Sequence, residues 1–115
     1  MRDYKKYDVW KLGHVITLQV YKLTKTFPKE EQYGLVSQMR RAAYSIPSNI
    51  AEGCGRESDN EFKRHLTISR GSASELEYFT TLSKDLEYLD HESFKKLEDK
   101  VNKVKRSLNN LIKKV

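Results

Sequence analysis

A chain of 115 residues, 37% hydrophobic and 33% charged, has the length of one domain spanning 1–115 and the composition of helices that each bury a narrow apolar stripe. No apolar stretch approaches the roughly 18 residues of a membrane span, which excludes a membrane partner of that kind. The net charge of +6 divides into +4 over residues 1–30, −3 over 31–91 and +5 over 92–115. Basic ends around a mildly acidic middle suit a polyanionic partner; they equally suit a helical protein whose own segments attract one another.

The opening residues, Met1 to Tyr7, lack the apolar core of a secretory leader. The lone Cys54 allows no internal disulfide. Together these predict a reducing, cytoplasmic location. Tyr4, Tyr7 and Trp10 are interleaved with Lys5, Lys6 and Lys11. Aromatic plus basic is the chemistry of stacking on single-stranded nucleic acid. The alternative is that Tyr7 and Trp10 close one end of a bundle or a subunit contact.

Val9, Leu12, Ile16, Val20, Leu23 and Phe27 recur at helical spacing until Pro28, which predicts a first helix. A second runs from about Gln32 through Val36, Met39, Ala43, Ile46 and Ile50. Its phase survives Pro47, so a kinked helix is expected there. Ala42 and Ala43 leave room for a neighbour. Gly53 or Gly55 is expected as a left-handed C-terminal cap. Ser58 to Glu61 reads as a capping box for a third helix, with Phe62, Leu66, Ser69, Ala73, Leu76, Phe79, Leu82 and Leu86 on its apolar side. Gly71, in that helix, is unfavourable by about 1 kcal/mol relative to alanine and so calls for a packing reason. The last helix, capped by Asp90, carries an unbroken heptad seam of Phe94, Leu97, Val101, Val104, Leu108, Leu111 and Val115. Period-two alternation is absent and the links are short, so the expected fold is an all-α, antiparallel, up-down-up-down four-helix bundle with a kinked second helix.

Lys96, Lys100, Lys103, Arg106 and Lys113 lie along one flank of the last seam, while Lys95, Glu98, Asn102, Lys105 and Asn109 make the other flank mixed. A one-sided stripe matches a phosphate track; the plainer reading is a solvated face. Arg40 and Arg41 point about 100° apart, one flanking the core and one facing out, and Glu52 can pair with Arg56 four residues on. This set reads as a polar brace for the kink or a subunit contact, with nucleic-acid contact as the alternative. Glu61 with His65, and Glu87 with His91, do not match the spacing of a bundle metal site; both histidines read as solvated surface. Cys54, near a helix C-terminus, is not activated as a nucleophile. Gly53-Cys54-Gly55 lacks the lysine of a phosphate loop. No catalytic residue, cofactor, metal or small-molecule substrate is indicated, and the expectation is a non-enzyme.

The stretches Val9-Trp10, Phe27-Pro28, Tyr33-Gly34-Leu35, Gln38 to Ala43, Ser45-Ile46-Pro47, Asn49 to Gly53 and Gly71-Ser72 carry a resemblance. As a combination they resemble the four-helix-bundle family encoded in intervening sequences of bacterial 23S rRNA genes. That family is similar to the accessory variability proteins of diversity-generating retroelements. The resemblance implies a homopentameric ring with no known enzymatic activity. It also implies a link to structured RNA or to a reverse transcriptase-like protein. On this reading Trp10, Arg40, Arg41, Pro47, Asn49, Glu52, Gly53 and Gly71 are structural or interface residues. Lys5, Lys6, Lys11 and the five cations of the last helix are the nucleic-acid candidates of a non-catalytic RNA-binding adaptor. A structural protein-interaction module without a nucleic-acid role is the alternative.

Overall fold

The computed structural model describes residues 2–115; Met1, read above as part of the opening segment, lies outside the described residues. A 3-10 turn at Tyr4–Lys6 is capped by Asp3, whose carboxylate accepts from the Lys5 amide. Four α-helices follow among the described residues: α1 (Asp8–Thr24), α2 (Ser37–Cys54), α3 (Asp59–Asp85) and α4 (His91–Lys114), with no strand. Among the described residues no helix is long and apolar enough to cross a membrane.

Contacts between the helices run in opposite senses. Along α1 and α2, Gly13 faces Pro47, Thr17 reaches Ala43, and Thr24 meets Arg40. Along α2 and α3, Met39 meets Ser83, Ile46 meets Ser69, and Asn49 meets His65. Along α3 and α4, Arg70 bonds Asn109 and Glu77 bonds Lys105. With α4 packing back on α1, the four helices form the antiparallel bundle that the short links require. Ile16, Val20, Met39, Ile46, Ile50, Phe62, Leu66, Leu76, Leu97, Val101, Val104 and Leu108 are fully buried at its centre. Each such side chain stabilises the fold by about 1.5–3 kcal/mol through burial.

α4 is the simplest element. Asp90 caps it by accepting from the Ser93 amide at 2.7 Å. That hydrogen bond holds the Asp90 carboxyl below the usual carboxylate range. The seam then buries Phe94, Leu97, Val101, Val104 and Leu108 in turn.

α2 needs more help. It continues through Pro47 without interruption, yet Pro47 has no N–H for the Ala43 carbonyl. The Thr17 hydroxyl lies 3.1 Å from that carbonyl and 2.8 Å from the carbonyl of Gly13. The hydroxyl is within hydrogen-bonding distance of both, so α1 places a donor where Pro47 has none. The helices come this close because Gly13 has no side chain: a Cβ there would sit 3.0 Å from Ile46 Cγ2 and 3.4 Å from Pro47 Cδ. From the other side Ser69 donates to the Ile46 carbonyl at 2.9 Å. Asn49 donates to the Ser45 carbonyl at 2.9 Å.

Three expectations need correction. Neither Gly53 nor Gly55 is a left-handed cap: no glycine among the described residues has positive φ, and Gly55 remains near helical geometry at φ −83°. Its amide and that of Arg56 instead close the last turn onto the carbonyls of Glu52 and Gly53. The left-handed residue is Glu87, at φ 65°. It ends α3, with Tyr88 N donating to Ser83 O and Glu87 N donating to Lys84 O, the bonding of a Schellman motif. Leu86, expected on the seam, is instead exposed, because α3 stops at Asp85. Gly71 is the third case: a Cβ there would meet nothing within 4 Å. The close-approach glycines are Gly13 and Gly53.

Candidate nucleic-acid interface

The N-terminal aromatics are engaged with one another. Tyr4 meets Trp10 edge-on at 4.9 Å, Trp10 stacks on His14 at 5.2 Å, and Tyr7 lies 5.9 Å from Phe62. All three of Tyr4, Tyr7 and Trp10 are half-buried. They pack, partly buried, against that end of the core. Arg2, which sequence reasoning did not single out, covers the Phe62 ring at 4.1 Å and pairs with Asp59. Beneath this layer Cys54 is buried, and burial pushes its thiol up.

Lys5, Lys6 and Lys11 remain exposed, with Lys11 at a loose 3.9 Å from Asp8. Tyr7, Asp8 and Val9 share a cleft with Ser107, Leu111 and Lys114. The antiparallel packing of α1 on α4 therefore brings the N-terminal turn and the last turns of α4 to one end of the bundle, while Lys22, Lys25 and Lys29 lie towards the other. At the former end Lys5, Lys6 and Lys11 join Arg106, Lys113 and Lys114. Lys114 was not singled out in the sequence.

The stripe on α4 is less uniform than its spacing suggests. Lys100 donates to Gln19 of α1 at 2.7 Å and is half-buried. Lys96 pairs with Glu92 at 2.9 Å, and this bond raises its pKa. Lys103, Arg106 and Lys113 are exposed, with no carboxylate within 4 Å among the described residues. The opposite flank is used internally: Lys95 pairs with Glu98 and Asp99, and Lys105 with Glu77. The free cations thus lie on the exposed surface of α4, away from the mixed flank.

The Arg40, Arg41 and Glu52 set is not brought together: the arginines lie near the start of α2 beside α1, and Glu52 lies at the junction of α2 and α3. Arg40 is half-buried, its Nε 2.9 Å from the Thr24 hydroxyl and its guanidinium 4.6 Å above the Tyr21 ring; Arg41 is exposed. Glu52 bonds Arg56 at 2.7 Å. That bond first, and the neighbouring His65 second, hold the Glu52 carboxyl below its ordinary range.

His65 corrects the sequence reading: it is 4% exposed. Asn49 spends its Nδ2 on Ser45, so its Oδ1 faces the ring and accepts from His65 Nδ1 at 3.3 Å. His65 Nε2 has no hydrogen-bond partner and lies 3.7 Å from Glu52 Oε2. Gly53 lets α3 approach here: a Cβ on it would stand 2.8 Å from His65 Cβ and 3.2 Å from Phe62 Cδ1. The signal was present, since His65 sits three residues after Phe62 on the buried side of α3. Thr17 and Gly13 left no comparable trace.

The chain belongs to the family of 23S rRNA-intervening sequence proteins, whose pattern matches residues 5–110. Among solved structures it is similar to a protein of unknown function from the S23 ribosomal protein family of Bacteroides thetaiotaomicron. That likeness has a TM-score of 0.85 and 24% sequence identity, covering 91% of this chain and 98% of the other. It establishes the fold. No curated protein matches the sequence.

Proposed function

We propose that this protein is a non-catalytic, oligomeric, cytoplasmic adaptor that binds structured RNA through phosphate contacts. The observation that carries the reading is the meeting of the N-terminal turn, with its exposed Lys5, Lys6 and Lys11, and the last turns of α4, with the unpaired Lys103, Arg106 and Lys113, towards one end of the bundle. Such a surface neutralises phosphates and reads few bases.

Assembly fits the same reading. A cyclic ring joins two different faces of each protomer. The protein exposes two apolar faces: Val15 and Leu18 on α1, with Leu18 at 58%, and Ile68 and Tyr78 on α3, with Tyr78 at 60%. Gly71 lies between Ile68 and Tyr78, where an approaching subunit would account for a glycine that the protomer does not need. We assign these two faces to the contacts of a homopentamer. A ring would repeat the basic end and add weak contacts by avidity.

The test is RNA affinity across a salt series, comparing an rRNA hairpin, duplex DNA and heparin, with oligomer mass read in the same buffer. Each neutralised phosphate adds about 0.7–0.9 to the slope of log K against log salt. The expected result is a steep slope, preference for the RNA, and loss on Lys103→Glu with Arg106→Glu. Lys100 is left intact because it bonds α1. Absence of binding at physiological salt overturns the adaptor and leaves a protein-interaction module, for which a reverse transcriptase-like protein is the first partner to try.

A further inference from the structure

The aromatic-basic chemistry that the N-terminus keeps for packing is displayed at the other end of α1. Tyr21, Tyr33 and Tyr44 line one groove with Arg40 and Arg41, about 460 Å³ in volume. A second depression shares Gln32, Val36 and Arg40 with it and adds Lys25 and Lys29. We propose that this continuous groove binds an unpaired segment of RNA, bases stacking on the tyrosines and phosphates meeting the arginines and lysines. The proposal rests on the RNA-binding reading and adds to it a site for single strands.

Four observations carry it. Tyr33 is 91% exposed, an aromatic ring held in water with nothing of its own chain to cover it. The backbone that carries it is nevertheless held. It lies in the turn Gln32–Val36, kinked at Gly34 (φ −112°, ψ −107°), whose preceding residue Glu31 accepts from the Tyr88 hydroxyl at 3.0 Å and from the Leu35 amide at 3.4 Å. That bond to a carboxylate raises the Tyr88 pKa. Arg40 already stacks on Tyr21, so the groove wall is a planar cation–aromatic pair of the kind on which a base can continue the stack. Finally, Lys25, Lys29, Arg40 and Arg41 have no carboxylate within 4 Å among the described residues.

The lining chooses between occupants. Of its non-tyrosine apolar lining, Val36 and Phe27 are buried and Pro28 is half-buried, so the accessible side chains are mainly tyrosines and cations. A partner helix would find little aliphatic surface to cover, whereas a strand alternating planar bases with anionic phosphates matches the groove in charge and aromatic content. Unpaired bases are also what proteins stack when they read RNA, because those in a duplex are already stacked.

The experiment uses the full chain and a 12-nucleotide oligouridine, the corresponding oligothymidine, and a blunt RNA hairpin. Tyr33→Ala, Tyr44→Ala and Tyr33→Phe are compared with the parent by fluorescence anisotropy. Stacking predicts that each alanine weakens oligouridine binding by roughly ten-fold or more, that Tyr33→Phe retains it, and that hairpin binding is unchanged. Because Tyr33 is exposed, its replacement leaves the bundle intact, which circular dichroism verifies. Parent-like oligouridine affinity for both alanine variants overturns the groove. So does a fall in oligomer mass, which makes the tyrosines a subunit contact, or capture of a protein partner lost on Tyr33→Ala with oligouridine unbound. Equal binding of oligothymidine overturns the assignment to RNA. Lys103→Glu with Arg106→Glu separates the two proposals: hairpin binding lost there, with the Tyr33 variants unaffected, sinks the groove and keeps the adaptor, and the opposite pattern does the reverse.

Discussion

The junction at Pro47 and the helix α4 solve the same problem in opposite ways. α4 satisfies its own backbone, caps itself with Asp90 and buries one seam. α2 contains a proline, and the polar groups along its buried side are met by hydroxyls from two other helices, Thr17 of α1 and Ser69 of α3. Asn49 and His65 complete the arrangement. Irregular local sequence often marks a functional site. Here the irregular junction is accounted for by packing, while the regular helix leaves Lys103, Arg106 and Lys113 unpaired among the described residues. The stretch Ser45 to Gly53, central to the family resemblance, therefore records how the bundle closes.

Substitutions should divide along this line. The largest effect is expected from a cavity in the regular half: Leu97→Ala should lose about 2–5 kcal/mol in chemical denaturation. At the junction the penalty should come from overfilling. Gly53→Ala places a Cβ 2.8 Å from His65 Cβ and should lose about 1–3 kcal/mol, although alanine is the better helix former. A parent-like denaturation midpoint would mean that α2 and α3 can separate at no expense and that the junction is not tightly specified. Glu87→Gly should gain about 1 kcal/mol, since glycine adopts the left-handed conformation freely.

Gly71→Ala sharpens the assembly proposal. In an isolated protomer it should gain roughly 0.5–1 kcal/mol; in the ring proposed here it should lower the oligomer mass seen by native mass spectrometry. The smallest effect concerns pH. The Asp90 carboxyl titrates lower in the folded protein than its ordinary 3.8, so its cap supports the fold above that value and is lost as pH falls through the folded value. Asp90→Asn should keep the cap and flatten this acid limb of a thermal-stability profile; an unchanged limb would assign it to other carboxylates.

The difference between the two regions also decides what was legible. The seam of α4 is written locally, in residues three and four apart, and so is the Asp90 cap. The bundle follows from four such stripes and short links. The junction is written across the chain: nothing near Thr17 shows that a proline thirty positions on leaves a carbonyl for it, and nothing near Gly13 announces Ile46. Gly71 drew attention because a glycine inside a helix is conspicuous, yet the protomer gives it no contact. His65 was hidden by its polarity, although its spacing from Phe62 and Ser69 placed it inside. The basic stripe was visible as charge, but its division into Lys100 bonded to Gln19 and Lys103 left free is a matter of which helix lies alongside. The tyrosine groove was invisible for the same reason, its members being gathered from two helices and the turn between them.

The most direct test of the account is a double-mutant cycle between Thr17→Val and Pro47→Ala, read by urea denaturation. If Thr17 serves the carbonyl that Pro47 cannot, Thr17→Val should cost about 1–3 kcal/mol in the parent. It should cost at least about 0.5 kcal/mol less in the Pro47→Ala background, where the backbone donor is restored, a coupling typical of groups in direct contact. Strictly additive losses would contradict the account, leaving the Thr17 hydroxyl bonded to Gly13 alone and the Ala43 carbonyl satisfied by other means.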